Sequence, residues 1–223
     1  RDLRMSRGLG DVYKRQGYGG FDREQAYEAL KQSAMLGERG MDLRMKYGYI
    51  PCDLFNEAVA YDMEYALADW AVAQVAKELG KTADYDHFLE RSKSYRHFFD
   101  PQTRFMRGLD SKGRFRTPFN PFRSTHRADD YCEGNAWQYT WLVPHDVEGM
   151  VELMGGREAV LRDLTEFFDK TPSDILWNDY YNHANEPVHL VPFLFNRLGQ
   201  PWQTQKWTRH ILSLIHISEP TRH

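Results

Sequence analysis

The stretch from Glu57 to Leu79 restricts the possible folds of this chain more than any other. Val59, Met63, Ala66, Trp70, Ala73 and Leu79 recur at helical spacing along one side. Leu67, Val72 and Val75 widen that stripe until more than half of the helix surface is apolar. A helix of this kind is buried between neighbours rather than laid on a surface. Gly80 stands where a C′ glycine ends a helix, and Thr82 reads as the cap of a second helix over 82–98. That helix carries Tyr85, Phe88, Leu89, Tyr95 and Phe98. A join this short makes the two helices an antiparallel hairpin.

The rest of the chain repeats the theme of helices separated by long loops. Asp22 caps a helix predicted over 22–36. Gly37, Gly40, Gly48 and Pro51 make 37–56 a loop, with 46–50 extended. Asp100-Pro101 stops the second helix of the hairpin. The loop from 100 to 130 contains Arg104–Arg107 and Arg114–Thr117 on either side of Asp110–Gly113, the pattern of a small β-hairpin. Further helices are expected over 131–142, from Asp146 to Met154, over Arg157–Asp169, over 188–197 and from Pro201 to Leu212. Strand signals are few. The chain reads as all-α in the main: helical pairs with long loops gathered at one mouth, as in an α/α toroid or part of one.

Composition narrows the functional classes. The 223 residues are 41% hydrophobic and 27% charged with a net charge of −3, so there is no basic field for nucleic acid and no polybasic membrane patch. No apolar run approaches the length of a membrane span. Cys52 and Cys132 form no zinc-type cluster and read equally as a disulfide or as two buried thiols. Aromatic residues make up 14% of the chain, which suits a carbohydrate cleft as well as a large core.

Three loop segments hold the candidate chemistry: Tyr131–Asn135, Pro144–Asp146 and Tyr180–Pro187. Each mixes carboxylates or amides with aromatic rings. Cleavage of a glycosidic bond needs one carboxylic acid to protonate the leaving oxygen and a second carboxylate on the opposite face. Glu133 is the candidate acid. Trp137 and Tyr131 are expected to keep it protonated by excluding water. Trp137, Tyr139, His183, Asn185 and Glu186 are candidate substrate-binding residues. Asn185 and Glu186 also offer oxygen ligands to a hard cation such as calcium. Plainer readings stand beside these. Asp146 is placed as an N-cap, and Glu186 before Pro187 as a solvated turn. His145 and His183 read as ordinary polar packing, and Asp129-Asp130 as loop solvation.

At this point a resemblance enters. YCEGNAWQYTWLVPHDVEGMVELMGG, beginning at Tyr131, resembles a segment of glycoside hydrolase family 92, the calcium-dependent exo-acting α-mannosidases. The stretch from Gly48 to Gly108 resembles the family's EYAYxDW-type helix and RSxxYxxxFDPxTxFMRG continuation. NEPVHLVPFLFNRLGQPWQTQKW resembles its NEPxxxxPYLYNxxGxPWxTQ stretch. The resemblance implies a partial (α/α)6 catalytic domain over 17–212 that in the family follows a β-sandwich. It implies an inverting α-mannosidase acting on mannose-containing glycans, with Glu133 as general acid and calcium held near Asn185 and Glu186. The family's general base is an aspartate in a GNDDxGxMSxW-type motif, which these residues lack. The piece alone is therefore expected to be inactive, needing the sandwich and remaining helical hairpins of its parent chain. The parent is expected in the periplasm, at the cell surface or secreted. Rival readings are another six-hairpin glycosidase and a noncatalytic helical carbohydrate-binding protein.

The two ends, residues 1–16 and 213–223, resemble translated sequencing-adapter read-through. Neither is expected to belong to the natural protein.

Overall fold

The computed structural model describes residues 20–173 and 177–218, with side chains to 213. The expected non-native segment 1–16 lies outside these residues, as does the end of the chain after Ser218. The described chain is mainly α-helical. It divides into two compact units, one of residues 20–98 and 108–116, the other of 99–107 and 117–218.

The first unit is built on the hairpin. Helix α1 spans Arg23–Ala34, α2 spans Met41–Tyr47, α3 spans Ala58–Glu78 and α4 spans Thr82–Arg91. Asp22 caps α1 as expected, accepting from Gln25 N at 3.0 Å. Gly80 adopts φ 72° after α3, and Lys81 N returns to Ala76 O at 2.9 Å, which turns the chain straight into α4. Thr82 is the first residue of α4 and not its cap; Lys81 holds that position with no side-chain bond. Tyr27, Val72, Ala73, Ala76 and Phe88 form the core shared by α1, α3 and α4.

Helix α2 replaces the loop expected there. Its seven residues sit between Gly40 and Gly48, both left-handed, and these two glycines are what made the segment read as irregular. The helix delivers Arg44 into the interior, where it is 1% exposed. Arg44 Nε donates to Asp62 Oδ1 at 3.1 Å and Nη1 to Asp69 Oδ2 at 2.5 Å. Nη2 reaches Arg91 O at 2.9 Å and Ser94 Oγ at 2.8 Å. Arg91 completes the cluster with two bonds to Asp69 and one to Ala34 O. Arg44 thus takes the carbonyl of Arg91, and the helix expected to run to 98 ends at Arg91; a 3₁₀ turn, Ser94–His97, follows. The expected hairpin across 110–113 is present as one bridge, Leu109 to Phe115, with Asp110 N bonded to Arg114 O at 2.9 Å.

The second unit opens with strands β1 (Phe99–Asp100) and β2 (Phe105–Met106), antiparallel with Phe99 opposite Met106. This pairing was not expected. Its turn is closed by Asp100, whose Oδ2 accepts from Thr103 Oγ1 at 2.7 Å and Arg107 Nη1 at 2.6 Å. Helix α5 is a single turn, Ala136–Tyr139, shorter than the twelve-residue helix expected over 131–142. Helices α6 (Val147–Leu153) and α7 (Arg157–Asp169) lie where expected, and Asp146 caps α6 by accepting from Gly149 N at 3.0 Å. Helix α8 spans Val191–Arg197 and α9 spans Pro201–Ser218. The last helix continues six residues past Leu212, because Leu214, Ile215 and Ile217 supply no breaker. Phe168 lies at the centre of an aromatic core, its ring within 6 Å of those of Phe167, Tyr181, Phe195 and Trp207. Each such buried ring contributes about 2–3 kcal/mol through area removed from water.

Candidate active site

The candidate acid sits on a tight backbone turn. Glu133 adopts φ 53°, in the left-handed region that only a few per cent of non-glycine residues visit. Its side chain is exposed. Gly134 follows, where a larger residue would crowd Gln138: a Cβ there would lie 2.7 Å from Gln138 Oε1 and 3.0 Å from the Tyr139 ring. Asn135 then caps α5, its side chain accepting from Gln138 N at 3.2 Å.

Two of the three candidate loops come together. Asn185, 3% exposed, donates from Nδ2 to Glu133 O at 2.7 Å. Asn135 Nδ2 donates to Asp179 O at 3.0 Å. Gln138 Nε2 donates to Asn178 O at 3.2 Å and Tyr180 O at 2.9 Å. The acid-bearing turn and the loop through 178–185 are therefore held to each other by side-chain amides on backbone carbonyls. In the remaining loop the Asp146 carboxylate caps α6, the structural role its position after Pro-His suggested.

The aromatic residues serve the turn rather than enclosing the acid. Tyr139 is 4% exposed and its hydroxyl donates to Cys132 O at 2.6 Å. Tyr131 is equally buried, its ring tilted beside that of Tyr139 with centroids 5.6 Å apart, and it donates to Met106 O at 2.6 Å. Trp137 packs against Phe105, Tyr180 and Phe122 at centroid distances of 4.9, 5.1 and 6.3 Å, with Lys170 Nζ 4.8 Å from its ring. The expectation that Trp137 and Tyr131 exclude water from Glu133 is thus corrected: both rings are engaged with other residues, and Glu133 is open to solvent in this chain.

His183 and Glu186 flank Asn185. His183 Nδ1 is 2.8 Å from Tyr181 Oη, and its ring lies 4.6 Å from that of His189, whose Nε2 meets His183 O at 2.9 Å. Burial, reinforced by His189, pushes the His183 imidazolium below the usual histidine range. Glu186 is exposed at the start of the 3₁₀ turn Glu186–Val188.

Asp129 and Asp130 are not solvated loop residues. They are 2% and 5% exposed. Asp129 accepts from Tyr131 N at 3.0 Å and from Thr125 N, with Arg123 Nε at 3.8 Å. Asp129 thus organises the backbone entering the acid turn. Gln138 and Gly134 had no part in the sequence-based site. The signal available for Gln138 was its place three residues after an N-cap asparagine, the spacing of a capping box.

A helical domain with an exposed glutamate on a braced turn, beside amide and carboxylate oxygens, has the groups of a glycoside hydrolase. Residues 6–221 match the Glycosyl hydrolase family 92 catalytic domain, and the chain belongs to that family. It is similar to the family GH92 α-mannosidase BT3965 of Bacteroides thetaiotaomicron, solved in complex with mannoimidazole, at 39% identity and a TM-score of 0.85 over 94% of this chain and 29% of that one. The family GH92 inverting mannosidase BT2199 of the same organism is 31% identical with a TM-score of 0.81, over 92% of this chain and 30% of that one. An uncharacterized secreted glycosidase of Arthroderma benhamiae is 25% identical over 86% of this chain. The chain spans 28% of the length of that curated relative.

Proposed function

We propose that the complete protein to which this chain contributes removes terminal α-linked mannose from glycans with inversion. The braced Glu133 turn, in a chain 39% identical to an α-mannosidase, carries this reading. Glu133 donates its proton to the departing glycosidic oxygen. A water attacks the opposite face of the sugar under a carboxylate that lies outside this chain.

Asn185 and Glu186 fit calcium as part of its ligand set. Their amide and carboxylate oxygens are the donors a hard cation takes. Asn185 Nδ2 is committed to Glu133 O, which leaves Oδ1 as its ligand atom. Bound there, calcium would supply a Lewis-acidic contact to sugar hydroxyls. Asn185 then links substrate binding to the acid turn through a single side chain. His183 is suited to hold a sugar hydroxyl beside it. The α/α toroid is the architecture we assign to the complete domain. The Arthroderma relative is secreted, and we place the complete protein in the periplasm, at the cell surface or outside the cell.

The test is mannose release from α-linked mannosides by the complete enzyme, with and without chelator, following the first-formed anomer by proton NMR. β-Mannose, loss with chelator and a roughly 100-fold or greater loss in Glu133→Gln on a poor leaving group are expected. Retained activity in Glu133→Gln overturns the acid assignment. Chelator-insensitive release overturns calcium, and α-mannose as first product overturns inversion.

A further inference from the structure

We infer that Gln138 is a positioning residue for Glu133. The inference rests on the reading of Glu133 as general acid.

Three successive carbonyls of the facing loop, those of Asn178, Asp179 and Tyr180, are all held by amides from the first turn of α5. Gln138 takes Asn178 O and Tyr180 O, and Asn135 takes Asp179 O. Gln138 is 5% exposed, so it works out of water, and its terminal amide nitrogen supplies both bonds. The same side chain lies over Gly134, with Oε1 2.7 Å from where a Cβ would stand. One residue therefore grips the facing loop with its nitrogen and covers the peptide next to the acid with its oxygen. Its own backbone nitrogen is fixed by Asn135 Oδ1 at 3.2 Å.

The acid turn needs such bracing. A non-glycine residue in the left-handed region costs about 1–2 kcal/mol and persists only when its surroundings over-determine it. Asn185 fixes the carbonyl of Glu133, and Tyr139 fixes that of Cys132. Neither reaches the 178–180 backbone. Gln138, with two of the three bonds, and Asn135, with the third, tie the turn to that backbone. Loss of Gln138 should leave the fold in place and let the acid drift from the leaving oxygen. Small displacements of a reacting group are expensive, on the order of 100-fold for about 1 Å.

The experiment compares two substrates on the complete enzyme carrying Gln138→Met, an apolar side chain of similar length. Methyl α-mannoside needs a proton on its leaving group; 2,4-dinitrophenyl α-mannoside does not. A positioning role predicts a roughly ten-fold or larger fall in kcat/KM on the first and about a three-fold fall or less on the second. Equal losses on both substrates, or no loss on either, overturn the inference. If Gln138→Met does not fold, Gln138→Asn keeps the amide but is one methylene short and carries the same comparison. Glu133→Gln is run in parallel. If it shows no dependence on leaving group, the acid reading itself fails, and that result is distinct from a failure at Gln138.

Discussion

Asn185 donates from its side-chain nitrogen to the main-chain oxygen of Glu133 at 2.7 Å, across 52 positions of sequence. The bond joins the proposed calcium-binding asparagine to the proposed general acid. Both partners are held locally: Asn185 N is bonded to Asn182 O at 3.0 Å, and a Cβ on Gly134, next to Glu133, would crowd Gln138 Oε1.

Asn185→Ala removes this donor and leaves the Glu133 carbonyl without it. The expected cost is about 1–3 kcal/mol of stability, read as a lower midpoint in urea unfolding. Asn185→Asp is expected to do worse than alanine, because a carboxylate would face a carbonyl oxygen. An aspartate variant as stable as the native chain would contradict this geometry.

Gly134→Ala places a methyl 2.7 Å from Gln138 Oε1 and 3.0 Å from the Tyr139 ring. Either the amide bonds of Gln138 or the Glu133 turn must yield. A loss of about 1–3 kcal/mol is expected. In the complete enzyme, activity on substrates that need a protonated leaving group should fall further than stability explains. Unchanged thermal unfolding and activity would show that the turn tolerates a Cβ.

Arg44 anchors the first unit. Arg44→Met removes the charged partner of Asp62, which is 0% exposed and keeps its bonds from Ile50 N and Ser94 Oγ, while Asp69 keeps Arg91. Leaving buried charge uncompensated costs about 3–5 kcal/mol. Replacing Arg44 and Asp62 together by apolar residues of similar size, with Asp69 left to Arg91, should recover much of that loss. Denaturant curves of the single and double variants test the difference; a double variant no better than the single would place the cost in packing instead.

His183 predicts a pH effect. Its folded-state pKa is lowered, first by burial and then by His189. Between that value and the ordinary histidine range near 6.5, the unfolded chain binds a proton that the folded chain refuses. Stability therefore rises with pH through this window and levels off above it. The melting temperature should fall as pH drops below about 6.5, and His183→Gln should flatten the slope. The neighbouring Tyr181 hydroxyl, whose pKa burial raises, stays protonated throughout. An unchanged slope in His183→Gln would assign the effect to another group.

The helices were legible where the apolar period was long. Residues 57–79 and 157–169 gave α3 and α7 within a residue or so at each end. The period failed where a buried polar group overrode it. Helix α4 stops at Arg91, whose carbonyl accepts from Arg44, a contact that no local pattern announces. Helix α2 was hidden because its flanking glycines look the same whether they bound a loop or cap a short helix. At the site, Glu133 and Asn185 were legible as chemistry, and their direct bond was not. The bracing around them ends on backbone carbonyls at 178, 179 and 180, and a carbonyl acceptor leaves no mark in a sequence. The error over the water-excluding rings had a related cause. Trp137 and Tyr131 lie near Glu133 in sequence, but their partners come from residues 105, 106, 122 and 180.

The grip on 178–180 has an evolutionary consequence. Because α5 holds that loop through its peptide groups, the identity of the side chain at Asp179, which is exposed, is not part of the hold. Substitution there leaves the acid turn's anchor intact. A lineage could vary the side chain at this position while inheriting the hold on the Glu133 turn unchanged.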